Sequence, residues 1–376
     1  MKYISLLLIP VLVLLSSAGL AMDAATLKAR QAIVVDYDTG AILLEKNADE
    51  RMPTSSMSKV LTIYTVFDAI RNGKMTMDQT LPVSEKAWRM QGSKTFVALG
   101  SQVKVSDLLQ GVATQSGNDA TIVLAEGLAG TEEAFADIMN AHAKRLGMAN
   151  SHFVNASGWP DENHYSTARD LAILAWNLIH DYPEHYAMFS HLDFTYNGIK
   201  QGNRNPLLYR NIGADGIKTG HTDAAGHGLI GSGVQNGRRV IMVVNGYEGV
   251  QPRADETASI LDWALKNFTN QSLFEKNKAI TEAPVVLGKS ARVALAVPED
   301  LKLTLPRFHQ NRIKLTAEYK SPLVAPIKAG DEVGVVKISI PGLPDRALPL
   351  VAAADVKEEG FFSRAVSKLM ISVFGL

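Results

Sequence analysis

Cysteine is absent from this sequence of 376 residues, which excludes disulfide bonds, thiolate catalysis and cysteine-ligated metal sites. Net charge is absent as well, because 38 lysines and arginines balance 38 aspartates and glutamates. A chain without excess charge has no overall attraction to nucleic acid, so we predict no nucleic-acid partner. The 9 histidines include no H-x-x-x-H pair, and we predict neither a metal ion nor a cofactor.

The apolar run near the N-terminus is too short for a membrane-spanning helix, which needs ~20 residues. It extends from Ile4 to Leu15, follows the positive charge of Lys2 and precedes the small residues of 16–21. These three parts are the layout of a secretory signal peptide. We therefore predict that residues 1–21 are a signal peptide and that the mature protein is exported. The alternative is an uncleaved N-terminal anchor.

Residues 358–376 form the second unusual terminus. Apolar residues recur in pairs from Phe361 to Phe374, whereas Arg364 and Lys368 fall on the opposite side of a helix. A helix with one broad apolar face and one basic face suits the plane of a membrane surface. We predict a membrane-anchoring amphipathic helix, and the alternative is a terminal helix that packs on the protein's own core.

Hydrophobic periodicity between the termini predicts two domains. Residues 22–270 follow the order strands, helices, strands, helix, which predicts one α/β domain with a hairpin turn at Asn236-Gly237. Short alternating stretches separated by prolines predict a small all-β domain over residues 281–355. The predicted strands are 32–36, 41–44, 228–234, 238–245, 289–297, 313–319, 332–340 and 347–352. The predicted helices are 56–72, 107–113 with Ser106 as its cap, 119–128, 132–146, 169–179 and 255–268.

Ser56 and Lys59 stand at the start of the first predicted helix, where a spacing of three places hydroxyl and amine on one face. Free amides at a helix N-terminus favour an anion such as the oxyanion of acyl transfer. Lys59 accepts a proton only when neutral, so its pKa must fall from about 10.4 to near 7. Burial and a second cation would both lower it. Ser101 and Lys104 repeat the spacing in a predicted polar loop, and we interpret them as structural.

Two further motifs supply partners for Ser56. The ammonium and hydroxyl of Lys218 and Thr219, on a predicted strand, are suited to a substrate carboxylate, and Lys218 is the expected second cation. Gly220 would let an extended peptide lie close to the strand edge. Between the two segments, Ser116 and Asn118 form a predicted tight link between helices. There Ser116 would relay a proton to a leaving amine and Asn118 would bind a substrate amide.

Ser-x-x-Lys, Ser-x-Asn and Lys-Thr-Gly, in this order, are the motifs of penicillin-binding proteins and class A β-lactamases. The sequence resembles the low-molecular-mass penicillin-binding proteins, which are serine-type D-alanyl-D-alanine carboxypeptidases. The resemblance implies a β-lactamase-like α/β catalytic domain with an antiparallel sheet, a sandwich-like all-β domain and a C-terminal membrane anchor. It also implies a periplasmic protein attached to the outer face of the inner membrane. The similar stretches are 115–120, 165–170, 203–205, 215–223 and 253–263.

The reaction that the resemblance implies is removal of the terminal D-alanine from peptidoglycan stem pentapeptides through an acyl-enzyme. β-Lactam antibiotics would be covalent inhibitors. The backbone amides of Ser56 and His221 would form the oxyanion hole, and Arg204 is a weaker candidate for the electropositive site. The residues assigned to catalysis are Ser56, Lys59 and Ser116. The residues assigned to substrate binding are Asn118, Lys218, Thr219, Gly220, His221 and Arg253.

Three other functions share part of this pattern. A class A β-lactamase needs a Glu-x-x-Leu-Asn segment between the second and third motifs, and none of the glutamates there has that context. A D,D-endopeptidase would use the same residues on cross-linked peptides, so the sequence separates it poorly. A non-catalytic wall-binding protein would not need the three motifs. The Gly-x-Gly-x-x-Gly of 226–231 precedes a predicted strand rather than a helix, which argues against a dinucleotide site.

Overall fold

The computed structural model describes residues 22–309, 311–341 and 345–366, together with the short strands Lys2–Tyr3 and Leu6–Leu7. Contacts divide the chain into two units, one of residues 20–266 and one of residues 1–19 and 267–376. Most of the predicted signal peptide and residues 367–376 of the predicted terminal helix lie outside the described residues. Among the described residues, no helix has the length and apolar character needed to cross a membrane.

A five-stranded antiparallel sheet forms the centre of the first unit. Its strands, in chain order, are β1 (Gln31–Asp36), β2 (Ile42–Lys46), β3 (Ala214–Thr222), β4 (Gly226–Gln235) and β5 (Arg238–Tyr247). The spatial order is β2-β1-β5-β4-β3, which leaves β3 at one edge. β4 and β5 meet at the predicted hairpin, where Asn236 and Gly237 both have positive φ angles, as a type I′ turn requires.

Helices cover both faces of this sheet. On β5, Ile241 and Val243 pack into a core with the helices of residues 59–181, whereas Val240, Met242 and Val244 pack against the last helix of the unit. This alternation follows from the two-residue period of a strand. The helices are α1 (Lys59–Arg71), α2 (Glu85–Arg89), α3 (Val105–Gln115), α4 (Asn118–Ala129), α5 (Glu132–Leu146), α6 (Ala168–Asp181), α7 (Pro183–Tyr186) and α8 (Val250–Asn267).

The first predicted helix is divided in the structure. Residues Ser55–Ser58 form a 3-10 turn that starts from a positive φ at Ser55, and α1 begins only at Lys59. The predicted burial of α1 is confirmed, because side chains all round it, including Tyr64 and Phe67, are 0% exposed. The prediction that Ser106 caps α3 is wrong. The preceding strand Gln102–Lys104 runs directly into the helix, whose first residue, Val105, is already buried.

The second unit is an all-β module, as predicted. A sheet of its longer strands packs against the two-stranded sheet Phe268–Phe274 with Leu301–Pro306, and Leu303 shares a core with Leu295 and Val336. The other strands are Thr281–Val286, Arg292–Ala296, Lys314–Ser321, Leu323–Val324, Glu332–Ser339 and Arg346–Ala352, and the Lys314–Ser321 strand also pairs with the two N-terminal strands. Residues 361–366 are helical.

Candidate active site

Ser56 and Lys59 are directly bonded in the structure. The Lys59 Nζ donates to Ser56 Oγ at 2.7 Å and to the backbone oxygen of Ser157 at 2.5 Å. Lys59 is 0% exposed, because it opens a helix that is buried on every side. The hydroxyl that the sequence predicts as nucleophile therefore lies within hydrogen-bond reach of an amine that has no access to solvent.

The electrostatic surroundings of Lys59 favour its neutral form. Its pKa is lowered from 10.5 to about 7, first by burial and then by the charge of Arg204, against the opposing charges of Asp119 and Glu132. The sequence predicted Lys218 as the second cation, whereas the cation whose charge lowers the pKa of Lys59 in the free site is Arg204. Lys218 is itself fully buried, which lowers its own pKa well below the usual value. Arg204, whose side chain is exposed, is the cation that acts on Lys59.

The carbonyl group that binds Lys59 belongs to a loop that Asn155 holds together. The Asn155 Oδ1 accepts the backbone N–H groups of Ser157, Gly158 and Trp159 at 3.2, 2.8 and 3.0 Å. Gly158 has a φ of +77°, and a Cβ there would lie 1.8 Å from the backbone oxygen of Ser55. Glycine is therefore required for the loop to approach the serine turn. No sequence signal pointed to Ser157, because it acts through its backbone.

The second motif forms the turn between α3 and α4. Ser116 ends α3 in the left-handed region at φ 63°, and its buried Oγ has no hydrogen-bond partner in the described part of the chain. The Asp119 carboxylate accepts the N–H groups of residues 95–97 and ties this turn to the neighbouring loop. The Asn118 side chain donates to the backbone oxygen of Gln91 at 2.8 Å. The turn thus presents one unsatisfied hydroxyl.

The third motif lies on the edge strand β3. Lys218 is 2% exposed and its Nζ donates to the backbone oxygen of Thr219 at 3.1 Å. A Cβ on Gly220 would lie 3.0 Å from both the Thr54 oxygen and a Met57 side-chain atom. This glycine therefore allows β3 to approach the turn that carries Ser56, which is a different reason from the close passage of a substrate that the sequence predicted.

The three motifs converge on one cavity of about 410 Å³, which we call the catalytic cavity. Arg253 is 6% exposed there, and burial lowers its pKa. Arg204 donates to the hydroxyl of Ser93, and the exposed His221 stacks on His227 with ring centres 3.9 Å apart. Ser93, His227 and Val250 had no sequence signal for this site. The residues lining the cavity are Ser56, Ser93, Ser116, Arg204, Thr219, Gly220, His221, His227, Val250 and Arg253.

The second serine–lysine pair lies outside this cavity. The Ser101 Oγ donates to the backbone oxygen of Ala98 at 2.7 Å, and Lys104 pairs with Asp78 at 3.4 Å. The sequence placed no buried helix behind this pair, but Lys104 immediately precedes the buried helix α3. The Gly-x-Gly-x-x-Gly of 226–231 lies within strand β4. Among the described residues, no three His, Asp or Glu side chains are grouped to hold a metal ion.

Comparison with known proteins agrees with this geometry. A family model described as D-alanyl-D-alanine carboxypeptidase matches residues 18–249. The chain belongs to this family. A second model, described as the C-terminal domain of penicillin-binding protein 5, matches residues 268–358. Membership of this peptidase family makes the protein a serine-type hydrolase, and the sequence prediction of an enzyme is confirmed.

Relatives in this family match nearly the whole chain. The D-alanyl-D-alanine carboxypeptidase DacC of Escherichia coli is 36% identical over 363 residues, which are 94% of this chain and 91% of that protein. A D-alanyl-D-alanine endopeptidase of Escherichia coli is 34% identical over 245 residues, which are 62% of this chain and 76% of that protein. The carboxypeptidase likeness therefore covers much more of this chain than the endopeptidase likeness does.

Two solved structures resemble the chain. The D-alanyl-D-alanine carboxypeptidase DacD from Francisella tularensis has a TM-score of 0.81 and 32% identity, and the match covers 92% of this chain and 98% of that one. An ampicillin-bound penicillin-binding protein from Listeria monocytogenes has a TM-score of 0.58 and 33% identity, with 63% of this chain and 98% of that one covered. The predicted fold class, a β-lactamase-like catalytic domain with a small all-β domain, is confirmed.

Proposed function

We propose that this protein is a serine-type D-alanyl-D-alanine carboxypeptidase that removes the terminal D-alanine from peptidoglycan stem pentapeptides. The observation that carries the proposal is the 2.7 Å bond between Ser56 Oγ and the fully buried Lys59 Nζ. A lysine with a pKa of about 7 is neutral often enough near neutral pH to act as a general base. The whole-chain likeness to carboxypeptidases supports the same reaction.

Acylation begins when neutral Lys59 takes the proton of Ser56 and Ser56 Oγ attacks the carbonyl carbon of the penultimate D-alanine. The backbone amides of Ser56 and His221 stabilise the oxyanion of the tetrahedral intermediate. Ser116, whose hydroxyl has no hydrogen-bond partner among the described residues, relays a proton to the leaving amine. The C–N bond breaks, D-alanine leaves, and water then hydrolyses the ester on Ser56.

The catalytic cavity suits a substrate that ends in a carboxylate. None of the described residues that line it is acidic, whereas Arg204 and Arg253 both contribute guanidinium groups. Within the part of the chain that the structure describes, the buried Nε of Arg253 has no hydrogen-bond partner, so this donor is available to a ligand. A bound carboxylate would also favour the charged form of Lys218 beneath Thr219. We assign the terminal carboxylate to this group of residues.

β-Lactams would acylate Ser56 because their reactive amide and their carboxylate have a separation similar to that of the scissile amide and the terminal carboxylate in D-alanyl-D-alanine. The sequence has no Glu-x-x-Leu-Asn segment to activate a deacylating water, so we expect a slowly hydrolysed adduct. Rapid steady-state hydrolysis of penicillin by the purified protein would overturn this expectation. An endopeptidase activity is the second candidate, and the partial coverage of the endopeptidase relative supports it less.

The proposed location is the periplasm, with attachment to the outer face of the inner membrane through residues 358–376. The described start of this segment supports the proposal, since Phe361 and Phe362 are 82% and 85% exposed and Val366 is 63% exposed. Exposed aromatic side chains on an amphipathic helix insert into the interface of a bilayer. A protein lacking residues 361–376 should fail to sediment with anionic phospholipid vesicles that bind the full mature chain, and equal sedimentation would refute the anchor.

Labelling with a fluorescent penicillin tests the nucleophile. The wild-type protein and Ser101→Ala should both be labelled and should release D-alanine from diacetyl-Lys-D-Ala-D-Ala. Ser56→Ala should show no covalent label and a kcat about 10⁶-fold lower, as other nucleophile deletions do. Label that persists in Ser56→Ala would refute the assignment of Ser56. Release of peptide fragments from cross-linked dimers at a comparable rate would favour the endopeptidase.

A further inference from the structure

The imidazole of His164 is buried in the catalytic domain but belongs to none of the three motifs. Its side chain joins two segments, since the residue as a whole is only 3% exposed and both ring nitrogens have partners. The Nε2 bonds to Ser58 Oγ at 2.7 Å, and the Nδ1 accepts the backbone N–H of Val154 at 3.2 Å. One ring therefore connects the turn that carries Ser56 to the loop that supplies the Ser157 carbonyl group.

The bond to Val154 determines which ring nitrogen of His164 carries the proton. Because an N–H donor faces Nδ1, this nitrogen holds the lone pair and Nε2 holds the hydrogen. Burial lowers the pKa of His164 to about 4, with the charge of Asp161 opposing this shift and the charges of Lys59 and His152 adding to it. The ring is therefore neutral near neutral pH, and it donates from Nε2 to Ser58.

The Ser58 hydroxyl serves this bond rather than its own helix. Ser58 immediately precedes α1, a position at which a serine side chain usually accepts a backbone N–H of the first helical turn. Among the described residues of α1, no backbone N–H makes this bond to Ser58. Its Oγ instead accepts from His164 and lies 2.5 Å from Thr54 Oγ1. All three side chains are at most 3% exposed, so a buried chain of hydrogen bonds spans the turn Ser55–Ser58.

The turn that this chain spans carries the reacting groups. Ser56 lies within the turn and Lys59 follows it directly, so a displaced turn would change the 2.7 Å contact between Ser56 Oγ and Lys59 Nζ. The second partner of Lys59, the Ser157 carbonyl group, lies in the loop that the same imidazole holds at Val154. His164 thus connects both of the segments whose separation sets the geometry of proton transfer.

We propose that His164 is a positioning residue for acylation, which acts through its Nε2–H bond to Ser58 and fixes the turn on which Ser56 and Lys59 meet. His164 is not among the described residues that line the catalytic cavity, so it affects the rate of acylation and not the binding of the acyl donor. The inference rests on the proposed function, since it takes Ser56 as nucleophile and Lys59 as base.

Two substitutions of His164 each retain one of its two bonds. Asparagine places an oxygen near the position of Nδ1 and keeps the acceptor for Val154, whereas glutamine places an amide N–H near the position of Nε2 and keeps the donor to Ser58. Stopped-flow kinetics with a fluorescent penicillin measure the dissociation constant of the non-covalent complex and the rate constant of acylation separately. Ser58→Ala removes the same bond from the other side. His152→Ala is the control, because its exposed side chain bonds to the Asn163 oxygen instead.

His164→Asn and Ser58→Ala should lower the rate constant of acylation about 10- to 100-fold at an unchanged dissociation constant, because a misplaced nucleophile loses rate. His164→Gln and His152→Ala should acylate at nearly the wild-type rate. The double variant of His164→Asn with Ser58→Ala should be no slower than the slower single variant, because both remove one bond. Equal rates in His164→Asn and His164→Gln would overturn the proposal, and so would a wild-type rate in Ser58→Ala or a loss that lies entirely in the dissociation constant.

Melting temperatures separate positioning from stability. His164→Asn and His164→Gln each lose one buried bond, so they should melt at similar temperatures while their acylation rates differ. If a His164 variant does not fold, Ser58→Ala decides, because it keeps the imidazole. If wild type is not labelled by penicillin, the proposed function itself has failed. If wild type is labelled and all variants match it, only the positioning by His164 is refuted.

Discussion

The rate at which penicillin acylates Ser56 should fall about tenfold for each pH unit below 7. Lys59 accepts the serine proton only in its neutral form, and its pKa lies at about 7. About half of the Lys59 side chains are then neutral at pH 7 and about 1% at pH 5. At the ordinary pKa of 10.5, only about 0.03% would be neutral at pH 7. The buried site thus supplies roughly a thousandfold more base, or roughly 4 kcal/mol.

Stopped-flow acylation with a fluorescent penicillin between pH 5 and 9 measures this dependence. Arg204→Gln removes a positive charge that lowers the pKa of Lys59, so its acidic limb should move to higher pH. Lys74→Gln, which changes an exposed charge outside the cavity, should leave the limb in place. The pKa of His164 is lowered to about 4, mainly by burial, so this imidazole does not produce a limb near 7.

Two results would refute the reasoning. A rate that stays constant from pH 5 to 9 would mean that no group with a pKa near 7 controls acylation. A limb near 7 that Arg204→Gln leaves unchanged would mean that the charge of Arg204 does not act on the base. A lower rate without a displaced limb would assign Arg204 to binding of the penicillin carboxylate alone.

Three substitutions test the supporting structure. Gly158→Ala should lower the acylation rate and the melting temperature together, because its Cβ would lie 1.8 Å from the Ser55 oxygen, and wild-type values for both would contradict this packing. His164→Ala should lower the free energy of unfolding by about 1–3 kcal/mol, because Ser58 Oγ loses its bond to the imidazole and the Val154 N–H loses its acceptor, whereas His164→Gln retains a polar group. Urea denaturation compares the two variants, and equal losses would refute the bond to Ser58. Arg238→Met should lower the free energy of unfolding by about 3–5 kcal/mol, because Asp36, 0% exposed, loses its ion pair at 2.7 Å, and an unchanged free energy of unfolding would refute the contribution of this pair.

Local signals were sufficient for the parts of the fold that depend on short-range geometry. The helix 132–146 has its predicted bounds because Thr131 caps it and Gly147 ends it with a positive φ. The strand Thr281–Val286 was missed because Pro284 interrupts its interior, and the prediction rule confines proline to strand edges and bulges. The cap of α3 was misplaced because a strand leads directly into that helix.

The candidate site was predictable to the extent that side chains form its motifs. Ser56, Ser116 and Thr219 stand in recognisable patterns, and they do line one cavity. Ser157 contributes a carbonyl group, which any residue possesses, so only the folded loop reveals it. Arg204 acts on Lys59 whereas the neighbouring Lys218 is buried. The spacing of residues along the chain does not show how deeply each side chain is buried.

The open edge of β3 has a consequence for the behaviour of the protein in concentrated solution. Exposed strand edges invite pairing with other chains, and proteins usually obstruct them with charge, proline or a covering segment. A substrate that pairs along β3 needs this edge uncovered. Asp223, exposed in the turn directly after β3, places a charge beside this edge, and such a charge disfavours pairing with a second chain. The turn that follows the substrate strand therefore also discourages self-association of the enzyme.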